Sequence, residues 1–446
     1  MKQFIEDNYQ NMLQDLKDLV KHNSVFATDE APFGSENRAV LLEAMRMMEE
    51  KGFTTYNDDF YDCYGEIGEG DKTIGLVAHL DIVPAGEGWE SDPFTVIEKD
   101  GLLYGRGVSD DKGAAVASMY ALKYLKDTNY PLKKKVRLIL GCNEETGSKC
   151  IEHYVSKFGS VDCGFTPDGE FPGIYAEKGM VGGQLVGKNT KIINISGGEA
   201  RNIVCKRVLC EVEAGSFNEE KFAEFLNSHN VKFEIEKADT VKITVHGVAA
   251  HAASPDLGVN AINFLFEALY NADFNDSFVN FFHKYFALTV HGEKMGFEDI
   301  KDEATNTSIN IGLVSMEDGV LKTSFDMRFP IKSNVETVKK LLDPVKDEEN
   351  EFVFGNGIEP LYFDENSPMI QAMLKAYQDV TGDKESKMMA IGGGTYAKSM
   401  NNIIAFGCGF EDEKSNIHNA NESLVIENFK KQVEIYIEAI KNLNEI

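Results

Sequence analysis

Five residues in this chain have the chemistry of metal ligands: His79, Asp110, Glu145, Asp168 and His418. Most stand in a polar cluster beside Gly or Pro, or close behind an apolar run. Imidazole combined with carboxylate suits borderline divalent cations, zinc first, with manganese or cobalt as further options. A carboxylate has two oxygens, so one shared Asp can bridge two ions ~3.5–4 Å apart. Five ligands with one shared give each ion three protein ligands and an open position for water. Any one of these residues alone reads better as a surface or capping group; the five together do not.

The flanking residues add to that chemistry. Glu144 and Glu145 are adjacent carboxylates behind an apolar run, and like charges that close are costly unless a cation neutralises one. The natural division gives one to a metal and leaves the other as a general base toward water. Asp81 follows His79 by two residues, so alternation along a strand puts both on one face and lets Asp81 fix the imidazole tautomer. The glycine-rich run Gly105-Arg106-Gly107-Val108-Ser109-Asp110-Asp111-Lys112-Gly113 opens a helix. It does not match a phosphate loop, and two adjacent aspartates repel a phosphate, which excludes a nucleotide site.

These residues need elements to position them. Thr73–His79 (TIGLVAH) and Val136–Gly141 (VRLILG) are unbroken apolar runs, Asp162–Thr166 is a shorter one, and Gly113–Leu125 reads as an Ala-rich helix. Solid apolar strands separated by helices predict an α/β layer with a mostly parallel central sheet. The polar clusters fall just past the strands' carboxyl ends, the rim where open α/β sheets bind ligands. Between residues 179 and 360 the strands alternate instead, as in Val241–His246, which predicts an α+β insertion with an antiparallel sheet. Residues 1–178 and 361–446 then form one discontinuous catalytic domain, with 179–360 as a lid domain.

Length and composition bound the rest. The 446 residues are 43% hydrophobic and 26% charged, enough for sizeable cores. The net charge of −28 argues against nucleic acid or anionic lipid as partners. No apolar run approaches a membrane span, and the acidic N-terminal helix pattern does not read as a signal peptide. Seven scattered cysteines without Cys-x-x-Cys spacing suggest reduced thiols and a cytoplasmic protein.

The motifs HLDIVPAGEGW, GRGVSDDKG, NEETG, TPDGEFP, GVAAHAASPDLGVNA, DMRFP, GGGTYA and HNANE occur in one order along the chain. In that order the chain resembles the metallopeptidase superfamily of aminoacylases, acetylornithine deacetylase and glutamate carboxypeptidase. The long insert and the wording of TPDGEFP and HNANE are most similar to the bacterial Xaa-His dipeptidases, the peptidase V or carnosinase-like branch. The resemblance implies two metals, one held by His79, Asp110 and Asp168 and the other by Asp110, Glu145 and His418. It implies Asp81 orienting His79, Glu144 as general base and His251 as the oxyanion-stabilising histidine. Arg328 would grip the substrate carboxylate, helped by Asn202 and the Gly392-Gly393-Gly394 loop. Asn202-Ile203-Val204-Cys205 departs from the family's usual Asn-x-Val-Pro, which weakens only the assignment of Asn202.

The activity implied is hydrolysis of dipeptides with a free C-terminal carboxylate. An N-acyl amino acid deacylase or succinyl-diaminopimelate desuccinylase is the enzymatic rival, and a silent metal- or peptide-binding protein the rival from another class. The insert exceeds one compact layer, so its extra length is expected to form a second subdomain. The chain would then be a monomer supplying His251 to its own site. The other histidines, His22, His153, His229, His246, His283 and His291, read as solvated, packed or structural.

Overall fold

The computed structural model describes residues 1–297, 300, 302, 306–411 and 413–446. The chain divides into two compact units, one of residues 1–176, 363–389 and 394–446, the other of residues 177–362 and 390–393. The fold is mixed α/β, with a largely parallel sheet in the first unit and a separate antiparallel sheet in the second.

In the first unit, Thr73–His79 lies parallel to both Lys135–Gly141 and Cys163–Thr166, and Ile403–Ala405 continues that parallel run. These core strands are buried almost throughout, as their unbroken apolar character requires. Asp62–Ile67 and Thr54–Asp58 add two antiparallel strands beyond Lys135–Gly141. Close approach is possible because Gly164 has no side chain: a Cβ there would sit 1.9 Å from the Gly75 carbonyl oxygen. The helix Lys112–Asp127 is buried over most of its surface, which explains its run of alanines. His79 ends one parallel strand, and the Asn143–Glu145 turn and Asp168 follow the carboxyl ends of two others, so the sheet itself gathers them.

In the second unit, eight antiparallel strands run in the order Phe233–Lys237, Thr240–His246, Arg207–Glu213, Ile192–Gly197, Val314–Glu317, Val320–Phe329, Gly179–Gly187 and Asn350–Ile358. Ser308–Asn310 pairs with Val320–Phe329 off that path. The helices Ala261–Asn271 and Ser277–Tyr285 belong to the same apolar core as this sheet, with Phe266, Phe278 and Phe282 in ring contact. The extra length of the insert thus lengthens one continuous sheet and adds to the apolar core against it. Among the described residues, no helix is long and apolar enough to cross a membrane. All seven cysteines are buried and unbonded.

Candidate active site

The first unit brings His79, Asp110, Asp168, Glu145 and His418 into one cluster. Ligand atoms of His79, Asp110 and Asp168 lie within 4.8 Å of one another, and so do those of Asp110, Glu145 and His418. Asp110 stands between the two groups. Its Oδ1 is 2.9 Å from His79 Nε2, and its Oδ2 is 2.9 Å from His418 Nε2. Glu145 Oε2 completes one side at 3.3 Å from His418 Nε2, and Asp168 Oδ2 the other at 4.0 Å from His79 Nε2. One imidazole and two carboxylates on each side, with the shared aspartate offering a separate oxygen to each, is a donor set that fits two borderline divalent cations.

The electrostatics follow from this crowding. Burial opposes charge on His79, but hydrogen bonds to Asp110 and Asp81 override it and hold the imidazole well above its ordinary pKa. Hydrogen bonds donated to Asp110 and Glu145 raise His418 to about 10. Burial tends to raise Asp110, yet His418 and His79 bring its carboxyl below the usual range. Glu144 is pushed up, by burial first and then by the negative charge of Asp168. The carboxylates that crowd the two imidazoles leave the cluster rich in negative charge and arranged to receive cations.

Asp81 acts through more than its side chain. The strand ends at His79, and the chain then turns so that the Asp81 carbonyl oxygen lies 3.0 Å from His79 Nδ1, with the carboxylate at 3.5 Å. The carboxylate accepts the backbone N–H groups of Glu144 and Glu145, each at 3.1 Å. One aspartate therefore sets both the histidine ring and the turn that presents the two glutamates.

Several positioning residues were not singled out by motif. Glu422, four residues past His418 in HNANE, is fully buried and accepts backbone N–H groups from Gly107, Ser109 and Asp110. It also binds the buried Arg106 guanidinium at 2.6 Å. Asp111 accepts the backbone N–H of His79 at 3.1 Å. Tyr396 of GGGTYA is buried, with its ring edge-on to His79 and its hydroxyl 3.0 Å from Cys150 Sγ. The only sequence signal for these was membership in the same motifs.

The second unit carries Asn202, His251, Arg328, Gly392 and Gly393, while Gly394 belongs to the first. Asn202 and His251 are exposed and lie on paired segments: the Asn202 carbonyl accepts the Ala252 N–H, and Ile203 bridges His251. His251 Nδ1 accepts the Ala253 N–H at 3.2 Å. Gly392 packs so tightly on Ala253 that a Cβ would lie 2.6 Å from its methyl. Arg328 is buried and paired with Asp326, Nε to Oδ1 at 2.8 Å, and its Nη1 donates to the Gly392 carbonyl at 3.1 Å. Arg201 is the exposed cation beside Asn202, its Nε 3.9 Å from the same Asp326. Beside this group a cavity of about 470 Å³ is lined by Lys178, Ser254, Asp256, His291 and Gly392 among others. Lys178, Arg201 and Asp326 are additions to the charged groups read from sequence.

An α/β unit with histidines and carboxylates gathered at its strand ends, joined to an antiparallel α+β insert, has the build of a metal-dependent peptidase. The chain belongs to peptidase family M20/M25/M40, whose family model matches residues 75–442. It is 32% identical over 464 aligned positions to a protein of Staphylococcus haemolyticus (strain JCSC1435) provisionally named a dipeptidase, covering 99% of each chain. Human carnosine dipeptidase 1 has a similar fold, with a TM-score of 0.61 at 18% identity over 100% of this chain and 98% of that one. The YXEP protein of Bacillus subtilis, described as a dinuclear metal binding peptidase of family M20, matches with a TM-score of 0.52 at 12% identity over 100% and 99%. The chain is thus a hydrolase of the exopeptidase kind.

Proposed function

We propose that this protein is a two-metal dipeptidase that hydrolyses dipeptides bearing a free C-terminal carboxylate. The observation that carries the reading is Asp110, which offers one oxygen to the His79 side and the other to the His418 side. His79, Asp110 and Asp168 would hold one ion; Asp110, Glu145 and His418 would hold the other, with zinc favoured over manganese or cobalt by the ligand set. When bound, the ions supply Lewis acidity that acidifies water and polarises a carbonyl.

The chain's own residues do the rest. Glu144, whose carboxylate the Asp81-held turn presents beside Glu145, takes a proton from the attacking water and returns it to the departing amine. In this reading His251 stabilises the oxyanion, and Arg328, with Asn202 and the Gly392–Gly394 loop, receives the substrate carboxylate. The dipeptidase names among its relatives support the substrate class. A cytoplasmic location belongs to the same proposal, supported by seven buried, unbonded cysteines.

The test is parallel assay of chelated protein on a dipeptide library and on N-acyl amino acids, with zinc, manganese or cobalt added back. Metal-restored cleavage of dipeptides above N-acyl substrates is expected. Preference for N-acyl substrates would make it a deacylase, and metal binding without turnover of either would leave a binding protein. A self-sufficient monomer is part of the proposal. Mixing inactive Glu144→Gln chains with inactive His251→Ala chains should restore nothing, and recovered activity would show His251 acting across a subunit boundary.

A further inference from the structure

A second group of histidine and carboxylates lies in the first unit, on the hairpin Asp58–Asp62 and the helix Lys149–Phe158. His153 and Lys157 are one helical turn apart and so share a face. Both reach the hairpin. Lys157 Nζ pairs with Asp58 Oδ1, while His153 Nε2 stands 3.5 Å from Asp58 Oδ2 and 4.0 Å from Asp59 Oδ2. The Tyr61 ring stacks on His153 at 4.1 Å and fixes its plane.

What separates this group from a surface cluster is its buried, unsatisfied polarity. Asp58 and Asp62 are fully buried. They are also direct cross-strand partners, so their side chains share one face of the hairpin. Both oxygens of Asp62, Oδ2 of Asp58 and Nε2 of His153 are buried without a hydrogen-bond partner. Leaving one such group unsatisfied costs ~1–3 kcal/mol, more when charged. Asp58 and His153 also sit just beyond hydrogen-bond range. Their 3.5 Å separation matches the roughly 3.4 Å edge of a tetrahedral site with ~2.1 Å ligand bonds. The cluster around Asp110 shows similar spacings, 3.3 and 4.0 Å.

We infer that Asp58, Asp59 and His153, backed by Asp62, form a third divalent-cation site, separate from the Asp110 cluster. Asp58 and Asp59 outnumber Lys157, and burial with the charge of Asp58 pushes the neighbouring Asp62 carboxyl up to about 8, so the pocket carries a surplus of negative charge that a dication relieves. One imidazole with carboxylates selects ions of the zinc and manganese class. Asp59 is largely exposed, which gives an ion a route in from solvent. The site ties the hairpin to the helix, so its role is structural.

The test is the metal content of the full-length protein, chelated and then saturated with zinc or with manganese, measured by plasma mass spectrometry and calorimetric titration. Wild type should hold one ion more than His153→Ala, and Asp59→Asn should weaken that ion at least ~10-fold. Asp59 is exposed, so its variant reads the site even where His153→Ala misfolds. Dipeptide hydrolysis should stay within about twofold in both variants. Equal stoichiometry and unchanged affinity in all three proteins would overturn the site and leave Asp62 as a buried, protonated acid. The comparison counts ions between variants, so it stands or falls independently of whether the enzyme proves to be a dipeptidase.

Discussion

The two units hold their candidate side chains by opposite means. In the first, the cluster is charge against charge: His79 and His418 contact Asp110 directly, and buried carboxylates are tied down by backbone amides. In the second, Asn202 and His251 are exposed, and neutral amides hold their segment from below. Asn310 Nδ2 donates to the carbonyls of Arg201 and Ile203 at 2.9 and 3.0 Å, and Asn260 Nδ2 donates to Asn310 Oδ1 at 3.2 Å. Charge thus gathers the Asp110 cluster of the first unit, and backbone placement holds Asn202 and His251 in the second, where the buried Arg328–Asp326 pair is the one charged exception among these candidates. Loss of a ligand in the first should remove metal; loosening the Asn202 and His251 segments of the second should not.

The largest effect should come from Asp110→Ala. One side chain serves both histidine groups, so bound metal and activity should fall together, by more than the ~10²–10⁴ expected of losing a general base alone. A variant that keeps two tightly bound ions would break the shared-ligand reading. Glu144→Gln comes next: kcat should fall by at least ~10²-fold while metal content persists, because shape is kept and only the proton acceptor is lost. Near-normal turnover would remove Glu144 from its role.

Glu422→Ala should follow, read as stability. It leaves Arg106 buried without its carboxylate and three backbone N–H groups without an acceptor. Removing one partner of a buried pair costs roughly 3–5 kcal/mol, measurable by denaturant unfolding of the metal-free protein. A loss under about 1 kcal/mol would show that water takes over the carboxylate's place.

These cases mark where sequence is legible. The cluster residues near apolar strands stood out because a polar side chain directly after such a strand falls on the sheet's rim, and the parallel sheet does gather them. Asp81 was half visible. Alternation put its side chain toward His79, but the strand stops there, and the turn sends the carbonyl to the ring and the carboxylate to the Glu144 and Glu145 amides. Glu422 was hidden because a buried glutamate is spelled like a solvated one. Its partners lie more than three hundred positions away in the chain. His153 and Asp62 were hidden likewise, since neither has a motif and only the hairpin and helix bring their groups together. The insert's continuous sheet was hidden because length says how much chain must fold, not how its strands pair.

The smallest effect, and the one that sharpens the contrast most, should come from Asn310→Ala. Asn310 is buried, and its amide satisfies two carbonyls that flank Asn202. Its loss leaves those carbonyls and the Asn260 amide short of partners, a cost of ~1–3 kcal/mol. The segment paired with His251 should loosen accordingly. Turnover should therefore fall while metal stoichiometry stays at the wild-type value, the reverse of Asp110→Ala. Asn310→Asp keeps the acceptor for Asn260 but loses the donor to both carbonyls, so it should resemble Asn310→Ala in turnover. If Asn310→Ala instead releases metal, the two groups share more than a chain, and placement in the second unit could not be separated from charge in the first.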